Sequence, residues 1–175
     1  MATLHGLFPG ALSIKPSCRM KPCLCKHTVG FNAHSLIMKF SLTVISFAAF
    51  FSVISAVNVR YDTAYDNSRG SLSTITCSDG ANGLLTKGFT TFDSLPLFPN
   101  IGAAQVVEGW NSTACGTCWQ ITYEGKSINI IAIDTTKDGF NPSLEAVNTL
   151  TNGRAEELGI VNAQVTQVAK SCCGL

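Results

Sequence analysis

Acidic residues are missing from the first 56 residues of the chain: none of the eleven Asp and Glu precedes Val57. By contrast, five of the twelve Lys and Arg, and all three His, lie in that segment. A break in composition of this size is typical of a processing boundary rather than of a border between two folded domains. We therefore predict that the mature chain is one domain, from Val57 to Leu175.

The stretch from Met38 to Ala56, MKFSLTVISFAAFFSVISA, has the three parts of a secretory signal peptide. Lys39 is the positive start, an apolar run follows, and Ser55 and Ala56 are small residues before a cleavage site. A transmembrane anchor is the alternative for such a run, but no basic cluster follows it. The sequence therefore predicts a secreted, extracellular protein with no membrane segment in its mature form.

Residues 1–37 show neither the alternation of a strand nor the periodicity of a helix. We interpret them as an unstructured extension, or as sequence upstream of the true start of translation. A basic, acid-free organelle-targeting segment is the alternative. In either case they do not contribute to the predicted fold.

The predicted mature chain also lacks histidine. This excludes nucleophile arrangements that need His, histidine general bases and zinc sites with His ligands. Neither a G-x-x-x-x-G-K-[ST] nor a G-x-G-x-x-G motif occurs, so nothing supports a phosphate or dinucleotide site. We expect no cofactor and no metal, and any catalysis would have to rely on carboxylates.

The mature chain has few basic residues: seven Lys and Arg against eleven Asp and Glu, a net charge of −4. Nucleic acids require a basic surface, and so does an anionic membrane. The charge therefore predicts a neutral or weakly charged partner.

The mature chain keeps five cysteines, Cys77, Cys115, Cys118, Cys172 and Cys173. An all-cysteine zinc site usually needs two C-x-x-C pairs, and only one is present. A thioredoxin-like pair would begin a helix, whereas Trp119 begins an alternating strand pattern. Disulfides in an oxidising compartment fit best. Because five is odd, one cysteine is left over, and Cys172 or Cys173 is the candidate.

Several short segments alternate like β-strands. We predict strands at Val57–Tyr61 and Ser71–Cys77, a hairpin of Trp119–Tyr123 with Ser127–Ile133, and a last strand in IVNAQVTQVA. Asn141 and Pro142 have the residue types of a helix N-cap and first turn, so PSLEAVNTL is the main helix candidate and RAEEL a second. These elements indicate a mostly β protein with short helices, a small β-barrel.

Six blocks, YDTAYD, CSDGANGL, FPNIGAA, GWNSTACGTCW, IDTTKDGFN and VAKSC, occur in an order and spacing that resembles the cerato-platanin family. The resemblance covers Val57 to Cys172. It implies a six-stranded double-psi β-barrel, as in the first domain of expansins and in family 45 glycoside hydrolases. It also implies two disulfides, Cys77 with Cys115 and Cys118 with Cys172.

Family resemblance further implies a fungal protein of the cell wall or the extracellular space. Several members bind chitin oligomers, some loosen cellulose without measurable hydrolysis, and many act on plants as elicitors or phytotoxins, so a host immune receptor is an expected partner. Some relatives are animal or human antigens. Two features depart from the family pattern: Cys173 has no counterpart, and the loop TTKDG after Asp134 replaces a Gly- and Arg-rich one.

Asp134 ends a hydrophobic strand and aligns with the carboxylate that the family uses for ligand binding. At the mouth of a groove it could bond sugar hydroxyls or donate a proton; the alternative is an aspartate that caps its own turn. Asp62 and Asp79 are the next carboxylate candidates. An inverting glycosidase needs two carboxyl groups about 6.5–9.5 Å apart, so a weak glycan hydrolase using Asp134 with Asp62 or Asp79 is the alternative to a non-catalytic binding protein.

Aromatic residues could stack on sugar rings, and the candidates are Tyr61, Tyr65, Trp110 and Trp119. Core packing is the alternative, and it is favoured for Trp119 because that residue lies inside a predicted strand. We include Tyr61, Tyr65 and Asn141 among the expected carbohydrate-binding residues. Asn111 begins an N-x-T sequon, which predicts a glycosylation site on a surface loop.

Overall fold

The computed structural model describes residues 56–175. The proposed extension at residues 1–37 lies outside the described residues, as does the predicted signal peptide except for its last residue, Ala56. Across the described range, none of the helices has the length and apolar character needed to cross a bilayer.

Six strands form a closed barrel: β1 (Ala56–Val59), β2 (Ile101–Ala104), β3 (Cys118–Tyr123), β4 (Lys126–Thr135), β5 (Phe140–Pro142) and β6 (Val161–Val168). Around the ring the order is β1-β5-β2-β4-β3-β6, and β6 pairs with β1 to close it. The pairs β1–β5 and β2–β4 are parallel, and the other four are antiparallel. This closed, mixed barrel with few short helices confirms the predicted fold class.

The β3–β4 hairpin is confirmed. Tyr123 pairs with Lys126 across a two-residue turn. Both turn residues, Glu124 and Gly125, have positive φ, 47° and 79°, which matches the twist of the strands in tight hairpins. β4 is paired on both sides, and its run from Ile130 to Ile133 is fully buried, as expected for a strand at the centre of the core.

The last strand and the first are also confirmed, and they pair with each other. The predicted strand at Ser71–Cys77 is wrong: residues Leu72–Thr74 form a short 3-10 helix. Ser71 Oγ accepts from the backbone N–H of Ser73 (3.2 Å), and Thr74 Oγ1 donates to the carbonyl of Ser71 (2.8 Å). Such local side-chain bonds compete with a strand ladder and favour a turn.

Two α-helices follow β5, α1 (Leu144–Thr151) and α2 (Ala155–Leu158). Both were predicted, but the N-cap of α1 is Ser143, not Asn141. Asn141 and Pro142 still belong to β5, where they pair with Ala103 and Gly102 of β2. Ser143 Oγ accepts from the N–H of Ala146 (3.0 Å), so the helix begins two residues later than the Asn-Pro signal indicates.

Cys77 is bonded to Cys115, as the resemblance implies. The implied bond from Cys118 to Cys172 is wrong, because Cys118 is bonded to Cys173 with a Cα–Cα distance of 5.8 Å. The reason lies in the short 3-10 helix Lys170–Cys173, in which successive side chains point about a third of a turn apart. Cys173 points into the core and is 1% exposed, so it is the residue that reaches Cys118 under β3.

Candidate functional site

Asp134 lies at the end of β4, half-buried, where the strand leaves the core. Its Oδ1 accepts from the backbone N–H of Thr76 (3.0 Å), from the hydroxyl of Thr76 and from the N–H of Thr135 (2.8 Å). Its Oδ2 accepts from the Tyr65 hydroxyl (3.1 Å). The carboxylate is therefore an acceptor in four hydrogen bonds and is fixed in one orientation.

The partners of Asp134 come from the long connection between β1 and β2, residues 60–100. The N–H of Cys77 donates to the carbonyl of Ile133 (3.2 Å), which places Thr76 beside the end of β4. Tyr65 belongs to a 3-10 helix, Thr63–Asp66, whose N-cap is Asp62. Two segments that are distant in sequence thus meet at Asp134.

An open groove of about 420 Å³ lies over this network. Its walls combine polar groups with the apolar side chains of Ile75 and Phe92, and the residues that line it are Asp62, Ala64, Tyr65, Asn67, Gly70, Thr74, Ile75, Phe92 and Asp134. Such a mixture suits a ligand with polar edges and an apolar face. We call this feature the Asp134 groove.

Tyr65 is 6% exposed, and its ring packs on Phe92 with ring centroids 6.0 Å apart. Burial raises the pKa of the Tyr65 phenol well above its usual value, and the negative charge of Asp134 and the hydrogen bond to it raise that pKa further. The phenol consequently remains protonated and donates to Asp134. The structure thus shows Tyr65 as a buried donor to Asp134, and stacking of its ring on a sugar stays a prediction.

Asp62 lines the same groove as Asp134. Its Oδ1 accepts from the N–H of Ala64 (2.9 Å), and its backbone N–H donates to the carbonyl of Pro142 (2.9 Å). These two bonds fix the start of the 3-10 helix at the rim of the groove. Its neighbour Tyr61 is half-buried against the core and does not line the groove.

The remaining predicted residues lie elsewhere. Asp79 is exposed, lies outside the Asp134 groove and accepts from the indole N–H of Trp110 (2.6 Å). Asn141, on β5, donates to Thr136 Oγ1 (3.2 Å), and its own Oδ1 is buried without a hydrogen-bond partner among the described residues. The groove therefore brings together only Asp134, Asp62 and Tyr65 from the predicted set.

The side chains of Trp119 and Asn111 both make contacts within the protein. Trp119 packs on Phe140, with ring centroids 5.5 Å apart, and its indole N–H donates to Thr117 Oγ1 (2.8 Å), which is the core role expected for a strand residue. Asn111 is half-buried and its Oδ1 accepts from the N–H of Asn82 (2.9 Å). Glycosylation of Asn111 stays a prediction.

Thr76, Asn67 and Phe92 were not singled out by the sequence, although each helps to form the groove or its floor. Thr76 stands directly before Cys77, and the disulfide framework could have indicated that it lies near the barrel. In the described part of the chain, no group of three or more His, Cys, Asp or Glu side chains is placed to hold a metal ion.

A family model described as Cerato-platanin matches residues 57–175. The chain belongs to the cerato-platanin family. It is 45% identical over 145 residues to the Heat-stable 19 kDa antigen of Coccidioides immitis, which covers 79% of this chain and 99% of the antigen.

Solved structures of the family agree in fold. Cerato-platanin 1 from M. perniciosa is 50% identical, with a TM-score of 0.66, and the match covers 67% of this chain and 99% of that one. The solution structure of the fungal elicitor Cerato-Platanin is 36% identical, with a TM-score of 0.60, covering 67% and 96% of the two chains.

Proposed function

We propose that this cerato-platanin is a secreted, non-catalytic protein that binds chitin or other N-acetylglucosamine oligomers in the Asp134 groove. The observation that carries the proposal is the fixed Asp134 carboxylate at the bottom of a groove of mixed polarity. Expansin-like wall loosening and an elicitor, phytotoxin or antigen activity towards hosts extend the same proposal. The activities towards hosts are supported by relatives named as an elicitor and as an antigen.

The chemistry of the Asp134 groove favours a neutral sugar. A carboxylate offers about four acceptor sites, and Oδ2 of Asp134 receives one donor, Tyr65, within the described structure. A sugar hydroxyl or an acetamido N–H could therefore donate to Oδ2 as well. Ile75 and Phe92 also line the groove, where the small exposed part of each side chain adds apolar surface.

Binding is favoured over hydrolysis by the roles in this hydrogen-bond network. Asp134 accepts in all four of its bonds, and its one side-chain partner at Oδ2 is a phenol that stays protonated. A general acid has to carry a proton to the leaving group. The arrangement instead holds Asp134 as an acceptor.

Secretion is supported by two disulfides within the described residues, Cys77–Cys115 and Cys118–Cys173. Structural disulfides of this kind persist in oxidising compartments and are rare in the cytosol. The predicted partner is accordingly a polysaccharide of the fungal cell wall, chitin or a cellulose-type chain.

An NMR titration with a chitin tetramer tests the proposal. We expect saturable shifts that cluster at Asp134, Tyr65 and Asp62. Asp134→Asn should weaken binding roughly tenfold, equivalent to about 1.4 kcal/mol. Glu124→Gln serves as the control, because Glu124 is an exposed acid in the hairpin turn that pairs with Arg154, and it should bind like the wild type. Absence of shifts at millimolar tetramer would rule out chitin in this groove and redirect the test to cellulose oligomers.

A weak glycan hydrolase is the second candidate, because Asp62 and Asp134 line the same groove. Asp79, the other carboxylate considered for this role, lies outside the groove. Prolonged incubation of the purified protein with the tetramer tests whether the tetramer is hydrolysed. New reducing ends that disappear in Asp134→Asn and in Asp62→Asn would establish hydrolysis, whereas an intact tetramer supports binding alone.

A further inference from the structure

Trp110 is 65% exposed, and Ile160, at 48%, is the other large hydrophobic residue that is exposed among residues 56–175. An exposed indole leaves a large apolar surface in water, which does not help the fold. Tryptophan is enriched at binding surfaces because it combines a flat apolar face with a polar N–H. The position of Trp110 therefore calls for an explanation in terms of binding.

The indole of Trp110 is held in place from one edge. Its Nε1–H donates to Asp79 Oδ1 at 2.6 Å, a short bond to a charged acceptor. Gly80 lies against the same ring: a Cβ at that position would be 3.1 Å from Trp110 Cζ2 and 2.8 Å from Asn111 Oδ1. Gly80 also has φ +81°, so a glycine is needed there both for its conformation and for space.

The loop that carries Trp110 is fixed as well. Asn111 has φ 60°, and it is bonded twice to Asn82, through Asn82 N–H to Oδ1 (2.9 Å) and through Asn82 Nδ2 to the Asn111 carbonyl (2.8 Å). The Cys77–Cys115 disulfide joins the two segments that carry Asp79 and Trp110. A side chain held in this way loses little entropy when a ligand binds.

We propose that Trp110 and Asp79 form a second sugar subsite, in which one pyranose ring of an oligosaccharide stacks on the indole. The proposal rests on the function proposed above and extends it. The exposed indole face would contact the C–H face of the ring. Asp79 Oδ2, which makes no hydrogen bond within the described structure while Oδ1 holds the indole, would accept from a hydroxyl or an acetamido N–H at the ring's edge.

The two subsites are anchored at positions that lie close together along the chain. Thr76 bonds Asp134 at the bottom of the groove, and Asp79 bonds Trp110. Three residues of chain span at most about 11 Å, so the backbone positions that hold the two subsites are separated by no more than that. A short oligomer would bind in the Asp134 groove alone, and a longer one would also contact Trp110.

The first test compares oligomer lengths. Affinities for the chitin dimer, tetramer and hexamer are measured by calorimetry for wild type, Trp110→Ala and Asp134→Asn. We expect Trp110→Ala to weaken hexamer binding roughly tenfold and to leave dimer binding nearly unchanged, in line with the contribution of single aromatic stacking contacts. Asp134→Asn should weaken both. Ile160→Ala, which removes the other exposed large hydrophobic side chain, is the matched control and should bind like the wild type.

The second test uses fluorescence. The chain has two tryptophans, so Trp119→Phe leaves Trp110 as the single reporter. Addition of the hexamer should shift its emission to shorter wavelength and protect it from quenching by iodide or acrylamide. Asp79→Ala frees the indole, so the Trp110 emission band should become broader. Asp79→Asn keeps an acceptor for the indole N–H, so the emission and its response to the hexamer should stay as in Trp119→Phe alone.

The outcomes separate the two proposals. The second subsite is overturned if Trp110→Ala binds like the wild type at every oligomer length and the hexamer does not change the Trp110 emission of Trp119→Phe. The Asp134 groove stands in that case, provided that the wild type binds and Asp134→Asn weakens the binding. If the wild type binds none of the oligomers at millimolar concentration, both proposals fail for chitin. The second subsite is supported if Trp110→Ala is the variant that loses affinity for the hexamer but keeps its affinity for the dimer.

Discussion

The barrel strands and the connection from β1 to β2, residues 60–100, are stabilised in different ways. The strands are held by ladder hydrogen bonds and by a core of aliphatic side chains, with Ile130, Ile131 and Ile133 fully buried. The connection contains no strand in the described structure, only four short 3-10 helices and an isolated bridge between Ser71 and Thr91. It is held by turn-type backbone hydrogen bonds, by side-chain hydrogen bonds to backbone groups, by buried side chains such as Leu72 and Leu84, and by one disulfide.

The same connection supplies most of the groups that a ligand would meet. Tyr65 and Thr76 orient Asp134, and Asp79 orients Trp110. The barrel contributes the fixed point, Asp134, at the end of β4. The comparison shows how a rigid core can position a binding surface that consists largely of loop residues.

The largest expected effect comes from removing the disulfides. Loops of 38 residues (Cys77–Cys115) and 55 residues (Cys118–Cys173) are closed, and the chain-entropy model assigns about 4 kcal/mol to each. We expect the double variants Cys77→Ala/Cys115→Ala and Cys118→Ala/Cys173→Ala to lose similar free energies of unfolding. Urea unfolding measures the loss.

Hydrogen exchange then distinguishes the two regions. Loss of Cys77–Cys115 should expose the amides of Thr76 and Cys77 while those of β3 and β4 stay protected. Loss of Cys118–Cys173 should instead loosen the β3–β6 side of the barrel. Unchanged protection at Thr76 in the first variant would mean that the disulfide does not hold the connection against β4.

A smaller effect is expected at the contact between the connection and α1. The Asp66 carboxylate accepts from the backbone N–H groups of Leu144 (2.9 Å) and Glu145 (3.0 Å) at the start of the helix. Asp66→Ala should lower the free energy of unfolding by about 1–2 kcal/mol, because two donors lose their partner near the positive end of the helix. Glu145→Ala, in the same turn, is the control; equal losses in the two variants would refute the capping role.

The smallest effect, and the one that depends on pH, involves Tyr65. Tyr65→Phe should cost about 1 kcal/mol near neutral pH, since the hydrogen bond to Asp134 is lost. The folded pKa of Tyr65 lies above the usual 10.0, so its contribution is present below pH 10 and is lost as the pH rises above that value, where the unfolded phenol ionises. Wild-type stability should therefore fall more steeply above pH 10 than that of the variant.

Tyr61→Phe is the control for this experiment, because Tyr61 has no bond to Asp134. Urea unfolding at pH 7, 9 and 10.5 gives the comparison. Parallel decreases in wild type and Tyr65→Phe between pH 9 and 10.5 would show that the Tyr65 phenol is not protected by the fold.

Local pattern was sufficient for the elements that depend on near neighbours. The β3–β4 hairpin and β6 follow from alternation, and Asp134 was found because it ends a buried strand. The predictions that failed involve either local hydrogen bonds that compete with a strand or contacts between residues far apart in the sequence. At Ser71 and Thr74, local side-chain hydrogen bonds favour a turn where a strand was predicted. The hydrogen bond from the Leu144 N–H to Asp66 joins residues 78 positions apart, which no local pattern encodes.

Contacts between distant segments also explain why the site was only partly predicted. The bond from Thr76 to Asp134 spans 58 positions and that from Trp110 to Asp79 spans 31. Carboxylates could be identified from the sequence, but whether Asp79 lies beside Asp134 or beside Trp110 depends on the path of the connection. In the same way, the choice of Cys173 over Cys172 depends on the rotation of one 3-10 turn.

The closed ring of strands has a further consequence, which concerns aggregation. Each of the six strands in the described range has a neighbour on both sides of the ring, although β1 meets β5 only at Val59 and Phe140, so none of them lies wholly at an edge. We expect that pairing of this sheet with a strand of another chain requires the ring to open first.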